Sequence, residues 1–592
     1  MASSPLRSES GVIARFSVSQ AIVCFFLALS IDIAVAHFEF KALIRGSLLN
    51  PDSYMRLVRL HDIMHAHAPI DIVARDASGS GTLLYWSHLL DSLLLVLATP
   101  LMPLLGEHEA LRWAGIALGP LGAGLLGLAL AWAGANLSDP DSRWTAALCG
   151  ALAMPVVGYA IPGVVHHHIL VALAAVMCAG WAARAGTAGV GAGWMLGAWA
   201  GFGAWVSPEV MPFALMAFAG VGFGWLIEPE RPAWGEACAA LGTSLALVVG
   251  LALAVDPPHG GYLTVEIDRL SFGWLVLALL CALIGWSLWG LDRRQTSRRT
   301  RAVLGCGIAL VCALVWLALC PSLVRGPEAV LNGQQAHAFF DAIAEMRPIA
   351  SFADAALFLL PGLFGTMLAL FLAVRRRSAG WAYLAICCAL LLLMGVLHRR
   401  FTIYSACAGA AMVPIAVTMI SRHFDRRSPT LAAAARLTLM LGLIVGPLAI
   451  QRAIAGAAGA EAPTGPCDLQ AAAPMLVAFA GQVVLADVND TPEILYRTGL
   501  LTVGSLYHSD PNAYLRLRAA WRSDADGPVP AAVQATRASL VLFCRNARRS
   551  FMVADLPRET LWDRLSRGES PVWLRKLEAG GTAGYDLYRI SY

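Results

Sequence analysis

Charge is scarce in this chain. Only 14% of its 592 residues are Asp, Glu, Lys or Arg, 58% are apolar, and the mean hydropathy is +0.64. A soluble domain carries about 25% charged residues, so the composition excludes that class and gives a polytopic membrane protein. The net charge of +4 is small, and the basic residues occur in short clusters between apolar runs, which offers nothing to a nucleic acid. Thirteen cysteines include no Cys-x-x-Cys pair and no zinc-finger spacing. Eleven of them lie in or beside apolar runs, where Cys behaves as a small hydrophobe. No small-residue cleavage site follows the first apolar run, so the polar stretch 1–20, with Arg7 and Arg15, is expected to lead into an uncleaved span. Repeats and low-complexity tracts are also missing, beyond the Ala/Gly bias of tightly packed membrane helices.

What the chain has in quantity is apolar runs near the 20 or so residues a span needs. Spans are expected near 20–37, 111–135, 144–161, 168–184, 189–205, 210–227, 236–255, 271–291, 302–320, 355–374, 381–397, 403–420 and 433–450. Basic clusters mark the cytoplasmic side of a membrane protein. Arg293, Arg294, Arg298, Arg299 and Arg301 form one, Arg375, Arg376 and Arg377 a second, and Arg422, Arg426 and Arg427 a third. Thirteen spans put all three on the side of the amino terminus. Counting 83–105 as a further span would break that parity, so it is read as re-entrant or interfacial.

The same count sends the informative polar residues outside. The loop 38–82 carries Asn50-Pro-Asp-Ser-Tyr-Met-Arg-Leu-Val-Arg59. A helix from Pro51 would put Asp52, Arg56 and Arg59 on one face, either as a site or as a surface salt-bridge helix. Gly163 to Val171 holds His166, His167 and His168 at the edge of an apolar run. Imidazoles at that depth read as a cluster of metal ligands facing a cavity, or as a wet helix end. In an extended segment His166 and His168 would converge while His167 points elsewhere. Glu209 follows Pro208 at the mouth of a span, where a carboxylate commonly starts a helix. The long loop 321–354 carries Asp341 and Glu345 on one face, flanked by Arg347-Pro348. Arg399 and Arg400 stand at an outer span end, against the positive-inside trend, as phosphate binding would require.

The apolar region ends near 450. The expected layout is a transmembrane domain 1–452, a linker 453–465 and a small external α/β domain 466–592. In the last, 483–487, 538–544 and 586–590 read as strands, and 494–497, 511–520 and 559–567 as helices. Cys467 and Cys544 are its only cysteines; a disulfide and two buried free thiols are both open.

These segments resemble the GT-C class of polytopic glycosyltransferases, and within it the oligosaccharyltransferase catalytic subunits. Pro51-Asp-Ser-Tyr-Met-Arg56 resembles the first-loop motif, with Asp52 as counterpart of the catalytic aspartate. Gly163 to Val171 is similar to the family's Asp-x-Asp stretch, with His166 and His168 at the Asp positions. Glu345 matches the mobile-loop glutamate. Arg400-Phe-Thr-Ile-Tyr-Ser405, the most specific segment, resembles the one whose Arg binds the donor's diphosphate. The Trp-Trp-Asp signature that reads an acceptor sequon is absent from 451–592, and the soluble domain is small, which argues against asparagine as acceptor.

The resemblance implies transfer of a sugar or oligosaccharide from a polyprenyl-(di)phosphate donor to a lipid, glycan or protein at the external face, in a bacterial inner membrane with the site periplasmic. Arg56, Arg399, Arg400 and Tyr404 are the expected donor-binding residues, and Asp52, Glu209 and Glu345 the catalytic ones. Asp52, His166, His168 and Glu345 are the expected ligands of a divalent ion (Mn, Mg or Zn), though a metal-free mechanism fits as well. The alternatives are a non-catalytic membrane scaffold and a lipid-sugar transporter or flippase. A transporter should show inverted repeats and midplane charges, and neither is seen.

Overall fold

The computed structural model describes residues 16–326, 336, 339–340, 342–424, 428–455, 467–577 and 584–592. Arg7, Arg15, Asp341, Arg426, Arg427 and most of the expected linker lie outside them. Among the described residues nine helices are long and apolar enough to cross a membrane. They are Val18–Phe38, Glu107–Leu137, Pro208–Ile227, Ala233–Val255, Phe272–Arg293, Arg298–Leu319, Phe352–Arg376, Ala379–Leu397 and Arg399–Phe424. A bent pair, Pro429–Ile444 and Gly446–Ile454, turns by 48° and adds a tenth if taken as one span. The other three expected stretches are helical but short, broken or bent. Residues 144–161 divide into Trp144–Ala151 and Met154–Ala160, since Pro155 cannot continue a helix interior. His168–Ala182 has 15 residues, and Ala185–Val206 is bent at Gly189, whose φ of 50° suits glycine.

Many starts are set locally by serine. Ser17, Ser297, Ser351, Ser378 and Ser428 each accept a hydrogen bond from a first-turn backbone N–H of the helix they precede. Glycine sets how closely the helices approach. A methyl group on Gly197 would strike the Leu241 carbonyl, and one on Gly409 the Pro361 carbonyl. Backbones in contact gain van der Waals packing that lipid cannot match.

Hydrogen bonds fix which ends lie together. Gln20, at the start of the first span, donates to Pro140 O, and Arg422 pairs with Asp139 at 2.8 Å. The first helix start and the basic end of Arg399–Phe424 therefore share one end of the bundle. The other end carries the segment 39–106. There Pro51–Ala66 forms a helix capped by Asn50, as the sequence leads one to expect. The hairpin of β1 (Ile72–Val73) and β2 (Thr82–Leu83) follows, then His88–Ala98. At 11 residues that last helix is too short to span, in keeping with a re-entrant or interfacial 83–105.

Above this end sits a five-stranded sheet of order β4-β3-β5-β7-β6: β3 (Val483–Leu485), β4 (Leu501–Thr502), β5 (Leu540–Cys544), β6 (Leu574–Lys576) and β7 (Tyr585–Ile590). β4, β3 and β5 are parallel; β7 runs antiparallel to β5 and β6. Strand β5 buries both faces and reads as a continuous apolar run, as a central parallel strand must. The short strands β4 and β6 carry no such run, which is why only three of the five were expected. A disulfide joins Cys467 to Cys544.

The sheet is anchored to the segment 39–106. Asp76 is fully buried and accepts hydrogen bonds from Thr82, Thr502 and Ser505. Arg75 donates to the carbonyls of Thr498 and Leu495 at 2.6 and 2.7 Å.

Candidate functional site

Three backbone segments converge at the sheet end of the bundle. Pro at the first helical position and the Asn50 cap start Pro51–Ala66, which places Asp52 in its first turn. Ser53 Oγ accepts from Val165 N at 2.8 Å, and Leu49 N donates to Gly163 O at 3.2 Å, which fastens the histidine stretch beside that turn. The loop before Phe352–Arg376 is docked by Arg400 N donating to Glu345 O at 2.9 Å and Arg399 N to Arg347 O at 3.0 Å.

The side chains then meet. His166 Nε2 lies 3.5 Å from Asp52 Oδ2, and the Asp52 side chain is 41% exposed. Tyr507, from the loop after β4, donates to Asp52 Oδ1 at 2.7 Å. Burial and the Asp52 carboxylate push the Tyr507 phenol well up, so it stays a donor. Arg400 Nη2 is 2.9 Å from Glu209 Oε2 and 3.9 Å from Glu345 Oε1. It also donates to His168 Nε2 at 2.9 Å, which leaves the proton of the neutral ring on Nδ1. That Nδ1 is buried with no hydrogen-bond partner. Tyr404 donates to Glu209 Oε1 at 2.6 Å, and Tyr159 to Glu345 Oε2 at 2.9 Å while stacking on His168 at 4.5 Å. Burial raises the Glu345 carboxyl, but Arg400 and the nearby imidazoles outweigh it and hold the pKa at about 2.

Several expected residues are placed differently from the expectation. His167 does not point away: one ligand atom from each of His166, His167 and His168 lies within 4.8 Å of the others. The reason is backbone conformation. At His167 the chain has already turned helical (φ −73°, ψ −18°), which ends the alternation of an extended segment. Burial, with the neighbouring His168 and Arg56, pushes the His167 pKa well down and keeps it neutral. The four-ligand set of Asp52, His166, His168 and Glu345 is not assembled. Asp52 stands beside His166, whereas Glu345 faces Arg400 and Tyr159. Glu209 is not a helix cap either; Ser207 caps that turn, and the carboxylate is turned to Arg400.

Arg56 is not an open cation. It pairs with Asp91 at 3.1 Å, with the Trp86 ring 4.1 Å from its guanidinium, and is 2% exposed. Arg399 pairs with Asp354 at 2.9 Å, apart from the Arg400 group. Tyr404 is 3% exposed and reaches the site only through Glu209. The residues missed in the sequence are Tyr159, Tyr507 and Asp91. A lone acid in the apolar stretch 83–105 was a signal for Asp91, since such a charge needs a partner. Nothing near Tyr507 in the chain marks it.

Chemically, the group is a partly exposed cluster of three imidazoles, three carboxylates and a guanidinium. Imidazoles with the half-exposed Asp52 carboxylate form a donor set that suits zinc better than magnesium.

No family model matches the chain, and no curated protein matches it in sequence. The fold does match solved structures. The archaeal oligosaccharyltransferase AglB of Archaeoglobus fulgidus, in complex with an inhibitory peptide and a dolichol-phosphate, aligns with a TM-score of 0.68 at 14% identity, over 88% of this chain and 69% of that one. The Archaeoglobus fulgidus oligosaccharyltransferase tethered to an acceptor peptide containing the NVT sequon gives 0.70 at 14%, over 96% and 74%. The same enzyme in complex with Zn and sulfate gives 0.66 at 15%, over 95% and 72%. The chain thus shares the fold of the Archaeoglobus fulgidus oligosaccharyltransferase.

Proposed function

We propose that this chain is an integral-membrane glycosyltransferase that moves a sugar or oligosaccharide from a polyprenyl-(di)phosphate donor to an acceptor at the external face. The observation that carries the reading is the meeting of Arg400, the histidine triplet and a half-exposed Asp52 at one open end of the bundle. Fold likeness to enzymes solved with a dolichol-phosphate or an acceptor peptide supports it. The basic Arg422 end is opposite, and a disulfide in the sheet domain suits an oxidising compartment; both favour a site outside the cytoplasm. The layout of a membrane domain 1–452, a linker 453–465 and an external domain 466–592 belongs to this reading.

Asp52 is the base. Among the described residues its Oδ2 pairs with His166, whereas both Glu209 oxygens are engaged by Arg400 and Tyr404. The acceptor hydroxyl passes its proton to Asp52 as its oxygen bonds to the anomeric carbon. The bond from that carbon to the phosphate oxygen breaks, and its electron pair leaves with the lipid phosphate. Arg400, 22% exposed, turns from Glu209 and His168 to the leaving phosphate and neutralises charge as it develops. Glu209 and Glu345 hold the guanidinium in readiness, so their role is positioning. A divalent ion held by His166, His167, His168 and Asp52 would supply Lewis-acid stabilisation of that same charge. It would also offset the excess of Asp52, Glu209 and Glu345 over Arg400, which otherwise repels a phosphate.

Purified protein in lipid, given polyprenyl-linked sugars with a radiolabelled sugar, tests the reading. Transfer to added acceptor or slow release of sugar to water is expected, and Asp52→Asn should remove it. A protein that neither binds nor turns over any such donor is a scaffold.

A further inference from the structure

Nine residues beyond Asp52 on the same helix, about 14 Å along its axis at 1.5 Å per residue, lies a second group of ligand atoms. His61-Asp-Ile-Met-His65 spaces two imidazoles by one helical turn, which puts both on one face. Their ring centroids are 4.1 Å apart. Glu107 reaches them from another element, as first residue of Glu107–Ala133, with Oε1 3.6 Å from His65 Nδ1. One ligand atom from each of the three lies within 4.8 Å of the others.

Two details distinguish this from an ordinary ion pair on a wet surface. His65 Nδ1 donates to the His61 carbonyl at 2.9 Å, which fixes the tautomer and presents a bare Nε2. A backbone carbonyl on one ring nitrogen is the outer partner that metal-binding histidines commonly have. Glu107 Oε1, meanwhile, is buried without a hydrogen-bond partner among the described residues. Such an oxygen is costly to leave unsatisfied, and a cation between it and the imidazoles would remove that cost. The side chains remain open to solvent, at 46%, 60% and 36% exposure for His61, His65 and Glu107, so an ion has a way in and room for water as a further ligand.

We propose that His61, His65 and Glu107 bind a divalent transition-metal ion, zinc by donor set, that ties the helix carrying Asp52 to the start of Glu107–Ala133. Two imidazoles and a carboxylate are common zinc ligands. The site is separate from the histidine triplet and stands whether or not the chain transfers sugars.

The test is zinc content of protein purified in detergent without a polyhistidine tag, stripped with chelator and dialysed against zinc. His61→Ala/His65→Ala should bind one zinc fewer than the unaltered protein, while His166→Ala/His168→Ala keeps that zinc. Glu107→Gln, which leaves the helix face intact, should raise the zinc concentration for half occupancy at least about tenfold. Should the double variant fail to fold, Glu107→Gln decides alone. A folded double variant with undiminished zinc, unchanged affinity in Glu107→Gln, or unaltered protein that takes up no zinc would each overturn the site.

Discussion

Two pairs of arginines stand at the same end of the bundle and are held in opposite ways. Arg56 and Arg59 share one carboxylate, Asp91, at 3.1 and 2.5 Å, and are 2% and 0% exposed. Arg59 also donates to the carbonyls of Trp86 and Ser87. Arg399 and Arg400 are 32% and 22% exposed, and Arg400 touches two carboxylates and an imidazole without being enclosed by them. A closed pair stabilises the helix that carries it. An open one, with partners it can exchange, is suited to an arriving anion. Polarity alone does not separate the two, because both pairs read as arginines beside apolar runs.

The largest effect expected is on chemistry at the open end. Asp52→Asn should lower transfer by about 10²–10⁴ as loss of a general base, with the melting temperature unchanged because the side chain is half exposed. Retained transfer would move the base elsewhere. Asp91→Ala should act in the reverse sense: Arg56 and Arg59 would be left buried and unpaired, at about 3–5 kcal/mol. A thermal melt in detergent reads this, and an unchanged melt would mean the closed pair is not closed. Arg400→Ala should weaken donor binding by about 1.5–3 kcal/mol, the worth of a charged hydrogen bond, and also lower the melt, because Glu209 and Glu345 lose their cation. Unaltered donor affinity would return Arg400 to the ordinary interfacial arginines.

The smallest effect concerns the docked loop. Glu345 is held at about 2, below the ordinary 4.5, so its contribution is full above pH 4.5 and fades as pH falls towards 2. Hydrogen exchange in 342–350 should remain slow at about pH 4 and quicken only below it. Quickening already near pH 6 would show that Arg400 does not hold Glu345.

The sequence disclosed what depends on local pattern. Apolar runs, the Asn50-Pro51 helix start, strand β5 and the exposed position of Arg400 each follow from composition or caps within a few residues. It did not disclose what depends on distant pairing. Tyr507 and Asp52 are 455 positions apart, and Arg56 became structural only because Asp91 folds beneath it. His167 was misplaced because a single backbone turn at the triplet replaced an extended segment. The span count was softest where Pro155 and Gly189 interrupt helices that hydropathy alone reads as whole.

Asp76 ties these regions together in a further way. Its carboxylate is satisfied by one hydroxyl from β2, Thr82, and two from β4 and the loop after it, Thr502 and Ser505, and the last two stand within five residues of Tyr507. The phenol that donates to Asp52 is therefore delivered by the sheet domain and latched by a buried acid. Without the sheet domain the helix end would lose the Tyr507 hydrogen bond to Asp52.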